Sequence, residues 1–569
     1  MRRDFRHSRV LQWLLIGCTF LSLAASRSLA DTAQGRRGII ATVNPVATEA
    51  ALLAFQRGGN AIDAAVAAAL ALGVVDGHNS GLGGGCFMLI RLANGRTVAL
   101  DAREAAPLAA TRDMFLRNGR FDPRSSQVGP LAAGVPGALW AYSYAVSQFG
   151  RLPLSAPLLH GAQIAERGFL IDEGYAKQLE SSAPELNLFE ASRAIFLNPD
   201  GSPKRAGQLL IQRDLAATYR AIATAGIEWF YYGAFPLLAG DWMLRNGGIM
   251  IPGDFSFYQM MRRPPLATTY RGYTIVGFPP PSSGGVHVAQ ILNILEQFDL
   301  KKMGTNSTDT IHVVTEAMKL AFADRANWLG DPDFTQVPRG LISKPYGARL
   351  AKLIRLDRAT PVPRYNIPPN AIKDIFGGHT THFTTADAAG NWVACTATLN
   401  TSFGSKAVIP GTGIVMNNQM DDFAAQPGIA NYFGLIGAEA NAIAPRKRPL
   451  SSMAPTIVLK NGKPVLSLGA AGGPTIISQV VLTIINMVDF GMDLETALAQ
   501  PRFHHQWFPD ELRIEGTIPE SVIKELESRG HKVVAVRPIG VTQAIGRDPS
   551  GRGFVGANDP RVNGKAAGW

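Results

Sequence analysis

Cysteine is scarce, with three in 569 residues, and one of them, Cys18, falls in the N-terminal stretch. The remaining two, Cys86 and Cys395, are too few for a disulfide framework. Each sits in an apolar, strand-like run, the setting of a buried free thiol, although a bridge between them stays open in an oxidising compartment. Charge is also sparse, at 17% of residues against 46% hydrophobic. That balance excludes a disordered chain and supplies apolar material for a large core. No internal repeat runs through the sequence at a fixed period.

Other absences narrow the function classes. The net charge is +11, yet outside the N-terminal stretch the basic residues gather only at Arg446-Lys447-Arg448, with no basic helix interleaved with aromatics, so nucleic acid is not an expected partner. His504 and His505 are adjacent and lack metal-ligand spacing, and neither a metal nor another cofactor is expected. The glycines from Gly81 to Gly85 follow a helix and precede a strand, the reverse of a dinucleotide-binding loop, so they read as close backbone approach.

What is present begins with a leader. Arginines cluster at the start, Val10 to Ala25 is mostly apolar, and Ser28-Leu29-Ala30 forms a small-x-small cleavage site, so export to the periplasm or beyond and cleavage after Ala30 are expected. A stable membrane span needs about 20 apolar residues, more than this stretch offers around Gln12. Leu15-Ile16-Gly17-Cys18 resembles a lipoprotein box and leaves lipidation at Cys18 as an alternative, but the chain stays apolar beyond it.

Ala47 to Leu72 predicts two helices, the first ended by Gly58-Gly59 and the second capped by Asn60. Apolar runs flanking Asn94-Gly95 predict a hairpin, with Arg103 just past its second strand. Gly134 to Ala223 reads as mostly helical. "GFPPPSSGG" from Gly277 is a stiff loop running into a helix, and a further amphipathic helix ends near Gly330. Arg355 to Phe376, with four prolines, is the most linker-like segment. Beyond it, hairpins turn near Ala389 and at Asn461-Gly462, a helix begins near Pro474, and another runs from about Pro519 to Arg529. Strands and helices in this arrangement predict sheet layers covered by helices.

The junction "GGHTTHFTTADAAGNW" carries the chemistry. A turn centred on Ala389 sets Thr380 opposite Thr398. A threonine hydroxyl is a weak nucleophile without a neighbouring base, and the α-amino group of a chain-terminal residue has a pKa of roughly 7.7 to 8.0. That base exists only once the bond between His379 and Thr380 has broken, and Gly377 and Gly378 permit the strained backbone such self-cleavage needs. Taken alone, Thr-Thr at a strand start is ordinary β-propensity.

The surrounding motifs change the weighing. "DAREAAP", "PPPSSGG", "LAFADRANWLGDPDF", "TTHF", "TLNTSFGS", "NNQMDDF", "KRPLSSMAPTIV" and "AAGGPTI", in order within a stretch from about Gly38 to Pro560, together resemble the γ-glutamyltransferase (glutathione hydrolase) family of N-terminal nucleophile hydrolases. The resemblance implies an α+β fold, a four-layer αββα sandwich formed by two subunits of one autocleaved precursor. It also implies a large subunit of residues 31–379 and a small subunit of 380–569 that stay together as a heterodimer. Thr380 would be the nucleophile, and Thr398 would orient it. Arg103, Ser451 and Ser452 would meet the carboxylate of a γ-glutamyl group, while Asp422, Asn400 and Gln419 would meet its ammonium. Backbone amides of Gly472 and Gly473 would stabilise the oxyanion. Substrates would be glutathione and other γ-glutamyl compounds, with water, amino acids or dipeptides as acceptors.

His382 reads as structural. The loop from Pro427 to Ile443 resembles a lid, with Phe433 where some relatives carry a gating tyrosine and Tyr432 adjacent as a substitute. Two alternatives stand beside this reading: an acylase-type amidase related to the cephalosporin acylases, and an exported, non-catalytic binding protein for γ-glutamyl compounds.

Overall fold

A computed structural model describes residues 32–363, 380–426, 428–429, 431–435 and 437–569. The leader, with its cleavage and lipidation sites, and Gly377, Gly378 and His379 at the junction lie outside the described residues.

Fourteen strands build two sheets. In chain order they are β1 Thr32–Gly35, β2 Gly38–Thr42, β3 Gly85–Arg91, β4 Thr97–Ala102, β5 Met261–Arg263, β6 Leu266–Tyr270 and β7 Tyr273–Gly277. The later seven are β8 Thr381–Asp387, β9 Trp392–Thr398, β10 Thr456–Lys460, β11 Lys463–Ala471, β12 Val541–Arg547, β13 Phe554–Asn558 and β14 Lys565–Gly568. One seven-stranded sheet has the order β14-β2-β8-β9-β3-β4-β5 and the other β1-β13-β12-β11-β10-β7-β6. Neighbours pair antiparallel throughout.

Helices cover both outer faces. On the first sheet lie α1 Pro45–Gln56 and α2 Ala61–Val75; on the second lie α3 Gly284–Leu295, α4 Thr308–Trp328 and α5 Thr475–Val488. The order helix, sheet, sheet, helix is the four-layer α+β sandwich expected. Because each sheet is buried on both sides, its strands are apolar on alternate faces rather than one. In β3, Cys86, Met88 and Ile90 pack toward α1 and α2, while Phe87 and Leu89 pack toward the other sheet. Cys86 and Cys395 are buried free thiols.

Local signals in the sequence account for the turns. Asn60 accepts from the amides of Ile62 and Asp63, and Asp63 returns a bond to the Asn60 amide, a complete capping box. Asn461 and Gly462 both have positive φ, at 51° and 75°, as a two-residue type I′ hairpin turn requires. The described part of the linker-like segment is anchored: Lys319 Nζ donates to the Thr360 carbonyl at 3.0 Å and Trp507 Nε1 to that of Val362 at 2.7 Å. The basic cluster turns partly inward, where Arg448 lies buried near Asp101 at 3.6 Å.

β8 and β9 lie in the middle of their sheet, so the hairpin carrying the junction is held on both flanks. At its turn end, Asp387 Oδ2 accepts from the Ala61 amide at 2.9 Å, fixing the hairpin to the N-terminus of α2. Thr384 and Ser467 hydroxyls meet at 2.6 Å between the sheets.

Candidate active site

Thr381 pairs with Ala397 across the hairpin, which brings Thr380 beside Thr398 as the turn predicts. Thr380 Oγ1 donates to Thr398 Oγ1 at 3.4 Å, and Thr398 Oγ1 also accepts from the Asn400 amide at 2.8 Å. That second bond requires Asn400 in the left-handed region, φ 85°, a conformation asparagine tolerates better than most side chains. The Asn400 side chain is itself held, donating to the Asn418 carbonyl at 3.0 Å. Thr380 is 6% exposed.

Beside Thr380 lies a cavity lined by Arg103, Arg325, Asn400, Gln419, Asp422, Ser451, Ser452 and Gly473 among others. Hence nine of the ten sequence-named catalytic and binding residues converge on it, and Gly472 adjoins it. Arg103, 1% exposed, extends from the end of β4 and donates to the Pro449 carbonyl at 3.0 Å and the Leu450 carbonyl at 3.2 Å. The guanidinium also forms a direct ion pair with Asp422, and its Nη1 lies 3.6 Å from Glu104 Oε2. Asp422 Oδ2 also accepts from Gln419 Nε2 at 2.7 Å. Burial pushes the Asp422 carboxyl up from its usual range, with Arg103 and Gln419 opposing that rise. The family resemblance assigns these two charges to the carboxylate and the ammonium of one ligand group; in the structure they also satisfy one another, since an unpaired buried charge is costly. Behind Arg103, burial raises Glu104 to about 7.

Arg325 and Asp421 were not singled out by the sequence reading. Arg325 sits in α4 and donates from Nε to Ser283 Oγ at 2.9 Å and from Nη2 to Ser452 Oγ at 3.1 Å. Its place within the motif "LAFADRANWLGDPDF" was the available signal. Asp421 is fully engaged with structure, accepting from Ser126 Oγ and from the Tyr432 amide at 2.7 Å.

Gly472 and Gly473 have φ of 133° and 58°, which turn the chain from β11 into α5. Among the described residues neither amide donates a hydrogen bond, and both stand at the positive end of α5, the arrangement that suits a developing oxyanion. A second, larger cavity, of about 500 Å³, reaches Thr380 and Gly472 and is lined in part by Arg513 and Arg537. The two cavities share Thr380 and Pro474.

Residues 47–569 match the family model of gamma-glutamyltranspeptidase. The chain belongs to the gamma-glutamyltranspeptidase family. It is 43% identical over 531 residues to the glutathione hydrolase proenzyme of Escherichia coli, covering 93% of this chain and 91% of that one. Among solved structures, cephalosporin acylase from Bacillus halodurans superposes with a TM-score of 0.85 at 29% identity, over 95% of this chain and 97% of that one. A gamma-glutamyltranspeptidase chain from Helicobacter pylori superposes with a TM-score of 0.56 at 39% identity, covering 57% of this chain and 93% of that one.

Phe433 lines the smaller cavity and is buried, whereas Tyr432 is 39% exposed and does not line it. The Tyr432 amide donates to Asp421 Oδ2 at 2.7 Å. Pro427, within the lid-like loop, lies outside the described residues.

The histidines are structural in geometry. His382 Nδ1 meets Thr396 Oγ1 at 2.9 Å, its ring faces Gly469, and burial drives its pKa down to about 3. His504 bonds Ser478 at 2.9 Å and Gln506 at 3.0 Å, and His505 bonds Asp510 at 3.0 Å. Among the described residues no His, Cys, Asp or Glu cluster is arranged to hold a metal ion.

Proposed function

We infer that this protein is a glutathione hydrolase and γ-glutamyltransferase, processed by its own Thr380. The observation that carries the reading is one cavity with the Thr380 hydroxyl in its wall beside the Arg103–Asp422 ion pair. A γ-glutamyl group presents a carboxylate and an ammonium on one carbon, and this wall offers an opposite charge to each.

Processing comes first. In the continuous chain the Thr380 nitrogen is a peptide amide and cannot take a proton. Thr380 Oγ1 attacks the His379 carbonyl, an ester replaces the peptide bond, and water hydrolyses it. The products are a segment ending at His379 and one beginning at Thr380 with a free amine. The Helicobacter pylori chain, almost wholly matched by little more than half of this one, supports processing into two subunits. The interleaving of β8 and β9 between β2 and β3 supports it too, because neither subunit completes the sheet alone.

Catalysis then follows in two steps. The α-amine accepts the Thr380 hydroxyl proton as Oγ1 bonds to the γ-amide carbonyl, and the Gly472 and Gly473 amides receive the oxyanion. The C–N bond breaks as the proton passes to the departing amine, leaving a γ-glutamyl ester on Thr380. Water, or the amine of an amino acid or dipeptide, attacks that ester, loses its proton to the same base and frees Thr380. The larger cavity on the Gly472 side accommodates the departing and incoming amines, while Thr398 holds the nucleophile in place.

The acylase reading has the Bacillus halodurans superposition in its favour. Against it, an acyl group without an ammonium leaves Asp422 without its ligand partner. Export rests on the leader alone; among the described residues no helix is long and apolar enough to cross a membrane.

The test is N-terminal sequencing of the smaller fragment on a denaturing gel, with turnover of γ-glutamyl and glutaryl anilides. Expected are a fragment beginning Thr-Thr-His-Phe and a strong preference for the γ-glutamyl donor. An active preparation that runs as a single band, or one that prefers the glutaryl donor, overturns the reading.

A further inference from the structure

The motifs containing Pro281 to Gly284 and Arg325 contribute no residue to the mechanism above, yet both close on the Ser451-Ser452 wall of the pocket. Ser451 donates its amide to the Pro281 carbonyl at 2.9 Å, and its own carbonyl accepts from the Ser283 amide at 2.7 Å and the Ser283 hydroxyl at 2.7 Å. Ser282 Oγ donates to the Met453 carbonyl. Gly284 lies so close behind that a Cβ there would stand 2.4 Å from the same carbonyl oxygen. Arg325, 4% exposed, crosses this seam: Nε donates to Ser283 Oγ at 2.9 Å and Nη2 to Ser452 Oγ at 3.1 Å.

The direction of these bonds matters. A guanidinium has donors and no acceptor. Ser283 therefore receives from Arg325 and passes its own proton to the Ser451 carbonyl. Ser452 Oγ receives from Arg325, and Ser451 Oγ receives from the Met453 amide at 3.1 Å. Each of the two pocket hydroxyls has a lone pair occupied by a fixed donor, which leaves its own proton to be given elsewhere. Both side chains line the pocket. Two hydroxyl donors beside a buried cation form a receptor for a carboxylate, not for an ammonium or a neutral amide.

We propose that Arg325 is a positioning residue for the donor's α-carboxylate, acting through Ser452 directly and through Ser283 on Ser451. The inference rests on the γ-glutamyl reading above and adds a residue that governs which acyl groups are held. Lysine cannot replace it, because a single ammonium does not reach two hydroxyls in the fork geometry of a guanidinium.

The experiment uses processed wild type, Arg325→Lys, Arg325→Met, Ser452→Ala and the Arg325→Lys/Ser452→Ala double variant. Donors are the p-nitroanilides of L-γ-glutamate and of 4-aminobutyrate, which differ only in the α-carboxylate. For the γ-glutamyl donor, Arg325→Met is expected to raise KM by about 10- to 100-fold with kcat within about threefold, the signature of lost ground-state binding. The carboxylate-free donor should change by less than about threefold, Arg325→Lys should fall between, and its effect should shrink in the Ser452→Ala background. Equal losses on both donors, or a collapse of kcat at unchanged KM, overturn the proposal in favour of a structural role. If Arg325→Met does not fold, Arg325→Lys carries the same comparison. Calorimetric binding of L-glutamate and 4-aminobutyrate separates this inference from the reading beneath it. A wild-type preference for glutamate that Arg325→Lys diminishes sustains the inference even where turnover fails. No preference in wild type sinks it.

Discussion

Arg103 and Asp422 stand 319 residues apart in the chain and form a direct ion pair inside the pocket. Under the proposed function a zwitterionic γ-glutamyl group would insert between partners that already cancel, so its binding would leave the buried charge unchanged. Asp422→Asn breaks that symmetry: Arg103 keeps its attraction for a carboxylate, while the ammonium loses its partner. The expected result is a fall in kcat/KM for a γ-glutamyl anilide of about 2–5 kcal/mol in transition-state terms, with a smaller fall for the glutaryl anilide. Steady-state kinetics on both donors checks this, and equal falls would contradict the assignment of Asp422 to the ammonium.

The Thr380 and Thr398 hydroxyls meet at 3.4 Å, and the proposed mechanism gives them separate roles. Thr380→Ala should give a single uncut polypeptide with turnover lower by at least about a thousandfold, since nucleophile and base are both lost. Thr398→Ala should still be cut, but slowly, because Thr380 keeps its attack and loses the oxygen 3.4 Å away that orients it. Thr398→Ser keeps that oxygen and should process faster than Thr398→Ala. Band intensities on a denaturing gel over time follow all three, and intact subunits from Thr380→Ala would falsify the nucleophile assignment.

Much of this site was legible before any coordinates. The hairpin turn about Ala389 fixes the register that joins Thr380 to Thr398, because strand pairing is a counting problem once the turn is known. Asn94-Gly95 likewise located Arg103, one residue beyond β4. The contact between Arg103 and Asp422 was not legible, because it depends on how the segment before Ser451 folds back, and no local pattern encodes that path. Arg325 was hidden for a related reason: its helix reads as amphipathic, but α4 is buried on nearly every side, so the arginine looked like part of a solvated face. That Phe433 and not Tyr432 lines the cavity was not legible either, since the two are adjacent aromatic residues in one loop.

The pH dependence separates the α-amine from the nearby histidine. With a base of pKa roughly 7.7 to 8.0, kcat/KM should fall as pH drops through that range. His382, held near 3 by burial, is neutral across it, so His382→Gln should leave the acid limb where it is. Stability should respond instead. A histidine whose folded pKa lies below its unfolded 6.5 stabilises the folded state above that value, and the contribution is lost as pH falls toward 3. Wild type should therefore lose stability on acidification more steeply than His382→Gln. Urea midpoints at several pH values between about 4 and 7 test this, and parallel curves would contradict the buried, neutral histidine.

Gly469 tests whether the space behind the nucleophile strand is as tight as the geometry implies. Its backbone is not in the left-handed region, so an alanine there meets no conformational objection. A Cβ at that position would lie 2.4 Å from His382 Cε1 and 2.5 Å from Nδ1, and His382 cannot retreat without leaving the Thr396 hydroxyl. Gly469→Ala should therefore destabilise by about 1–3 kcal/mol and slow processing, because His382 stands two residues from Thr380 on the same strand. Removing the ring should remove the conflict, so in a His382→Ala background the added methyl should cost little or help to fill the space. A double-mutant cycle on urea unfolding measures the coupling. Additive losses would mean that the sheet yields elsewhere and that His382 does not set the position of β8.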